Sequence, residues 1–473
     1  MAKFAHILIL FLSIAAAAQS GRIALKPDEP PSGTAVASEP SVKQMFEEAN
    51  SYLKARAAEY QAKKIPYNEN LLLQTQREQR QLAAKYAAAA KARENLAGED
   101  FYYLGLLYWL IENLDGTLGG MSRFLASENP AVVQAQTARS LVVVVSAKQK
   151  KLEDAEKTLA EYLKIEPTKM TERVRMESEL AKAYQSGKDF TRMAPHAEEA
   201  YKAAKAVLKD QPSRARGLDE LTDDGMLVFE AYRDLGNQNK AEDVLDDLRR
   251  TAAAAGSSSI YYYAVDAKIT YLIEIGRKPR AMETYLSSLI MASKEFSAQH
   301  LQEDVISRLK KREIHYKLLG LPAPELPIAD QWFPGKAKTL ADLKGKVVLL
   351  DFWATWCGPC FDAFPSLIEW NQDFHADGLE ILGVTRYYGE VNGVAVDIPN
   401  ELEYIKNFKK QQGIPYDFVV AKDQGIQYLY GGTSLPTAVL IDRKGIIRYI
   451  ETGVSTVRLE QLRQMISKLL AEK

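Results

Sequence analysis

Near residue 320 the chain changes its hydrophobic period, and that change decides most of what it can become. From Ser41 to Gly320 apolar residues recur at three- and four-residue steps in a background of Ala, Leu, Glu, Lys, Gln and Tyr. Prolines are few there, so the spacing reads as successive amphipathic helices. After Gly320 short β-branched runs alternate with amphipathic stretches instead. A chain of 473 residues exceeds one ordinary core. The break therefore reads as a domain boundary, with an all-α domain over 41–320 and an α/β domain over 321–473. The segment Leu319-Gly-Leu-Pro-Ala-Pro-Glu-Leu-Pro327 reads as the linker between them.

The first twenty residues read as a secretory signal peptide. Lys3 gives a weak positive start, Ile7 to Ile14 an apolar core, and Ala16-Ala17-Ala18 the small residues of a cleavage site. The apolar run is short for a membrane span of about 20 residues; an uncleaved anchor is the alternative. Residues 21–40, rich in Pro, Ser and Ala, read as a linker. The expected location is outside the cytoplasm, in a bacterial periplasm or on the outer face of the cytoplasmic membrane. A net charge of -1 gives no general reason to expect nucleic acid as a partner.

Within 41–320 several segments share an aromatic or apolar helix, a polar turn and a helix with small residues. Ala183-Tyr184…Gly187, Ala231-Tyr232…Gly236…Ala241 and Tyr271…Gly276…Ala281 are examples, and turns near Asp115 and Lys151 begin two more. The pattern loosely resembles tetratricopeptide repeats, which implies stacked helical hairpins with a concave face for a protein partner. An irregular bundle serving as spacer or dimerisation surface is the alternative reading.

In the second domain, Lys346–Trp353, Leu379–Thr385, Asp417–Ala421, Thr437–Ile441 and Ile446–Ile450 read as strands. Pro359–Phe374, Asn400–Gln412 and Thr456–Leu470 read as helices. Alternation followed by a final hairpin at Asp442-Arg-Lys-Gly445 implies a mixed sheet covered on both faces.

The chain has two cysteines, three positions apart, in Trp356-Cys-Gly-Pro-Cys360. So short a loop constrains the unfolded chain very little, so the pair points to chemistry. A zinc site would need a second ligand pair, which is absent nearby, and no metal or cofactor is expected beyond the cysteines. The strand ends at Trp353 and a helix begins at or just after Cys357. Unpaired N–H groups and the positive dipole end there favour thiolate, making Cys357 the attacking sulfur. Cys360, one turn on, is placed to resolve a mixed disulfide. Pro359 suits the first turn of a helix.

This segment resembles the thioredoxin active site. The frame from Leu321 to Lys473 is similar to the exported TlpA/ResA branch of that superfamily. It carries Pro322-Ala-Pro324, Leu340…Leu343-Lys-Gly-Lys346, an insertion near 390–415, and Leu435-Pro-Thr-Ala-Val-Leu-Ile-Asp442…Gly445. The resemblance places the superfamily's buried acid at Asp351. A carboxylate in an apolar strand has a raised pKa and can accept the Cys360 proton, or it is structural and satisfied by backbone N–H groups. Glu390 roughly matches the acid that exported relatives carry in their insertion, and is a second candidate. The resemblance further implies that Pro436 is cis beside the sulfurs, with Leu435 offering its backbone to an extended substrate segment. Trp356, Gly358, Pro359 and Gly453 complete the expected substrate surface.

The sequence thus points to an exported thiol-disulfide oxidoreductase that reduces protein disulfides. Its electrons would come from a membrane donor, and its helical domain would recruit a protein partner. Two alternatives stand beside it: an interaction scaffold with a thioredoxin-fold docking module, and the same site run as an oxidase or isomerase.

Overall fold

The computed structural model describes residues 39–66, 68–326 and 329–472. The expected signal segment and nearly all of the 21–40 linker lie outside the described residues. Thirteen α-helices come first: α1 (Val42–Ala62), α2 (Glu69–Lys91), α3 (Glu99–Leu110), α4 (Leu114–Leu125), α5 (Val132–Lys148), α6 (Leu152–Leu163) and α7 (Met170–Ser186). There follow α8 (Phe190–Lys209), α9 (Arg214–Asp234), α10 (Gln238–Ala255), α11 (Ser258–Glu274), α12 (Lys278–Glu295) and α13 (Gln299–Leu318). Local chemistry sets many of the boundaries. Ser41 and Gln44 form a reciprocal capping box at α1, and Asn113, Asp189 and Asn237 cap α4, α8 and α10.

Five of the connections are built alike. Glu112, Lys150, Lys188, Gly236 and Gly276 adopt positive φ, and each lies two residues before the next helix. In each case the following N–H reaches back over five residues. Asn113 donates to Tyr108, Lys151 to Ser146, Asp189 to Tyr184, Asn237 to Tyr232 and Arg277 to Leu272, at 2.7–3.0 Å. This six-residue closure satisfies helix-end carbonyls and reverses the chain. The result is a series of helical hairpins in which each helix packs on the next, and α5, α7 and α9 also touch in turn.

The second part runs β1 (Gln331–Phe333), β2 (Val347–Phe352), α14 (Gly358–Phe374), β3 (Leu379–Arg386), β4 (Glu390–Val391), β5 (Val394–Ala395) and α15 (Ile398–Gln411). It continues with β6 (Asp417–Ala421), α16 (Gly425–Leu429), β7 (Thr437–Ile441), β8 (Ile447–Thr452) and α17 (Thr456–Ala471). Six strands form one mixed sheet in the order β1-β6-β3-β2-β7-β8. The central β2 is parallel to β3 and antiparallel to β7. The three-residue edge strand β1 and the small β4–β5 hairpin are additions to the elements read from sequence; both are too short to show a period.

Alternation along β2 divides the core. Val347, Leu349 and Trp353 belong to a cluster with α14, α15 and α17. Val348, Leu350 and Phe352 belong to another that runs without a break into α11, α12 and α13 through Ile269, Tyr285, Leu309 and Tyr316. The segment read as an inter-domain linker is docked. Gly320 N–H donates to Ile447 O, Ile447 N–H to Leu321 O, and Ala323 N–H to Gly445 O, all at 2.8–2.9 Å. These backbone groups prolong the β8 edge, which is why a Pro-rich stretch holds a fixed path here.

Candidate active site

β2 is buried along its whole length, and the chain leaves it through buried Trp353 and Ala354 into an exposed turn. Cys357 is the N-cap residue of α14, and Pro359 sits in the first turn. Cys357 and Cys360 form a disulfide with their Cα atoms 5.3 Å apart. Both are almost fully buried, whereas Gly358 and Pro359 between them are exposed. Cys360 packs on the apolar underside with Phe364 and Leu367. Trp356 stands out of the surface with 56% of its area exposed. Its ring meets Tyr388 edge-on at 5.3 Å, and the Arg386 guanidinium lies 3.9 Å over Tyr388.

Asp351 is buried inside β2, and its Oδ2 has no hydrogen-bond partner among the described residues. Desolvation pushes its carboxyl up to about 7. The same orphaned state holds for Trp353 Nε1 and for the Tyr416 hydroxyl. Burial, and Asp351 facing it, raise the Tyr416 hydroxyl further. Gly383 lies in register beside Asp351 on β3. A Cβ there would meet the Phe418 ring at 2.8 Å and Trp353 Nε1 at 3.2 Å, so only glycine lets these two rings pack this close to the strand. Tyr416 and Gly383 did not stand out in the sequence reading; a glycine inside a strand pattern was the available signal.

Leu435–Pro436 is a cis peptide bond, as the resemblance implied. Leu435 packs against the cluster that holds both cysteines, and Gly453 N–H donates to Pro436 O at 2.7 Å. Pro436 and Gly453 are therefore side by side. Gly453 has φ +83, and a Cβ on it would strike Arg458 Nη1 at 2.6 Å, so local backbone geometry also calls for glycine here.

Glu390 stands on β4, exposed, its carboxylate without a hydrogen bond or ion pair among the described residues. The acid that organises this insertion is Glu401, which was not singled out in the sequence. It is buried, and its carboxylate accepts Tyr388 N–H at 2.7 Å and Gly389 N–H at 2.9 Å. Between the two candidate acids, Asp351 is the buried one, and strand alternation puts it on the β2 face of Leu349 and Trp353, which share a cluster with both cysteines.

The AhpC/TSA family model matches residues 319–450. The thiol-disulfide oxidoreductase ResA of Bacillus thuringiensis (strain Al Hakam) is 33% identical over 151 residues, covering 32% of this chain and 78% of ResA. The chain belongs to the ResA family of thiol-disulfide oxidoreductases. ResA of Bacillus subtilis (strain 168) is 34% identical over 137 residues, covering 29% of this chain and 69% of that protein. Among solved structures, the thiol:disulfide interchange protein DsbE from Chlorobium tepidum has 28% identity and a TM-score of 0.27, over 32% of this chain and 98% of the other. The ResA likeness covers about the last third of the chain. Helices α1 to α13 lie before the residues that the AhpC/TSA family model matches.

Proposed function

We propose that this ResA-family protein is an exported reductase of protein disulfides, acting in a bacterial periplasm or on the outer face of the cytoplasmic membrane. In the reduced form the α14 N-terminus favours thiolate at Cys357. That thiolate attacks a substrate disulfide, forms a Cys357–substrate bond and expels one substrate sulfur as thiolate, which takes a proton. Cys360 then gives its proton to Asp351 and attacks the Cys357 sulfur. The Cys357–Cys360 disulfide forms and the second substrate sulfur leaves. The substrate gains two electrons and the pair loses two. Return to the dithiol takes two electrons and two protons from a membrane dithiol donor.

The observation that carries this reading is a buried, unpartnered carboxyl raised to about 7 in the strand leading to the helix-capping disulfide. A carboxyl of that pKa suits a transient proton acceptor near neutral pH. The surface of Trp356, Leu435, Pro436 and Gly453 would take an extended substrate segment. The helical hairpins would seat the partner that carries it, as the loose likeness to tetratricopeptide repeats suggests.

The test is insulin-disulfide reduction by the intact chain, with Cys357→Ser as the inactive control and Cys360→Ser to trap a mixed disulfide. Absence of turnover in the wild type would favour a docking scaffold instead. A reduction potential near about -120 mV, the oxidising end for this fold, would overturn the reductase direction.

A further inference from the structure

Between α1, α2, α3, α5, α7 and α9 lies a cavity of about 450 Å³, remote from the cysteines in sequence and lined wholly by the helical hairpins. That volume falls in the range of small-ligand sites, roughly 300–1,000 Å³. One wall is apolar, formed by Phe46, Leu53, Leu106 and Trp109. The opposing charges are mostly spent. Arg80 pairs with Glu112 at 2.9 Å, Lys148 with Glu179 at 3.2 Å, and Arg216 with Glu220 at 2.6 Å.

Four side chains facing the cavity keep unpaired polar atoms. The Arg175 guanidinium has no hydrogen bond or close ion pair among the described residues; burial, then Arg216, lowers it to about 10 although Glu172, Glu220 and Glu179 attract it without a direct contact. Lys182, exposed, also forms no ion pair among the described residues. Asp224 accepts from the Ser178 hydroxyl through Oδ1, but its buried Oδ2 has no partner among the described residues, and Glu220, paired to Arg216 through Oε1, has none there for Oε2. Burial raises both carboxyls, Asp224 to about 7. A half-buried cation without a partner is costly, as is an orphaned buried acceptor. A ligand that removes both costs must bring an anion, a hydrogen-bond donor beside it, and an apolar arm.

We propose that this cavity binds an α-amido carboxylate with an apolar arm, a side chain or an acyl chain, the carboxylate on Arg175 and Lys182 and the amide N–H toward Asp224 and Glu220. Such a group is found at the end of a peptide chain or in a free N-acyl amino acid. The proposal gives chemistry to the partner-recruiting role above, but a calorimetric test is independent of redox turnover, so the two can fail separately.

The experiment is isothermal titration calorimetry on the intact chain with acetyl-leucyl-leucine and N-octanoyl-glycine. The amide of acetyl-leucyl-leucine and plain octanoate serve as controls lacking the carboxylate or the N–H. The expected result is one site per chain, with each control at least about tenfold weaker than the matching probe. Tighter binding of the dipeptide assigns the site to chain ends, and tighter binding of the acyl-glycine to free acyl amino acids; either supports the proposal. Arg175→Met, which keeps the stem volume, should lose binding at least about tenfold while leaving the thermal midpoint of the unliganded chain equal or higher. Equal binding of either control, no binding by either probe, or a lower midpoint in Arg175→Met would overturn it.

Discussion

His315 on α13 donates through Nε2 to the carbonyl of Gly431, 3.0 Å away, at the start of the loop that ends at cis-Pro436. The tautomer follows from the partners. A carbonyl only accepts, while Arg312 Nη1, 3.2 Å from Nδ1, only donates. Arg312 also donates to Ile450 O at 2.8 Å and pairs with Asp266 and Glu451. The last helix of the hairpin array thus holds the backbone of both the 431–436 loop and β8.

Burial, then the Arg312 charge, lower His315 to about 4. The unfolded chain, with a histidine near 6.5, therefore binds more protons than the folded one between those values. This contribution is fully present above about pH 6.5 and is lost as pH falls toward 4, by about 3 kcal/mol in all. His315→Gln should flatten that part of the stability profile. Urea unfolding of both proteins from pH 4 to 7 measures it; parallel profiles would refute the assignment.

Asp351 carries the opposite sign. Its folded pKa of about 7 exceeds the unfolded value of 3.8, so the folded state holds the extra proton and stability falls as pH rises from about 4 to 7. Asp351→Asn should be more stable than wild type at pH 8, by on the order of 3 kcal/mol, with the gap closing toward pH 4. It should also slow release of a trapped Cys357 mixed disulfide by about tenfold or more. Glu390→Gln, on an exposed strand, should change neither. Stopped-flow resolution with a model disulfide separates the two acids.

Trp356 offers area to a partner and little to the fold. Trp356→Ala should leave unfolding free energy within about 1 kcal/mol. KM for a protein disulfide should rise about fivefold with kcat little changed, as expected for a lost aromatic contact. Steady-state insulin reduction beside a thermal melt provides both readings.

Glu401→Gln removes one of the two acceptors that hold Tyr388 and Gly389 N–H. An unsatisfied buried donor costs about 1–3 kcal/mol. Amide exchange at residues 388–396 should quicken while exchange in β2 stays protected. Unchanged exchange at Tyr388 would show that the carboxylate does not organise the hairpin.

The sequence made the redox pair, β2, β3, β6, β7 and β8, and three long helices legible because each has a strong local signature: a period, a cap or a short motif. Even the turns at Gly187, Gly236 and Gly276 fell between observed helices, since a turn must interrupt the helical period. Asp351 was visible as a charge inside an apolar run. The rest depends on tertiary neighbours. Nothing in the spacing of Glu401 says that it reaches back thirteen and twelve residues to two N–H groups, and nothing around Arg175 says that the neighbouring carboxylates pair elsewhere. The Pro-rich stretch at 319–327 has a linker's composition; its backbone bonds to β8 come from a partner more than a hundred residues away.

The unbroken core between α11–α13 and the far side of the sheet has a consequence for reach. With residues 320–323 bonded along β8 and the core shared between hairpins and sheet, anything seated on the helices would meet the disulfide at one set distance and bearing. Which cysteines of a client are reduced would then be chosen by where they fall on a ruler, and lengthening the 319–327 stretch with flexible residues should not extend that ruler while the shared core holds.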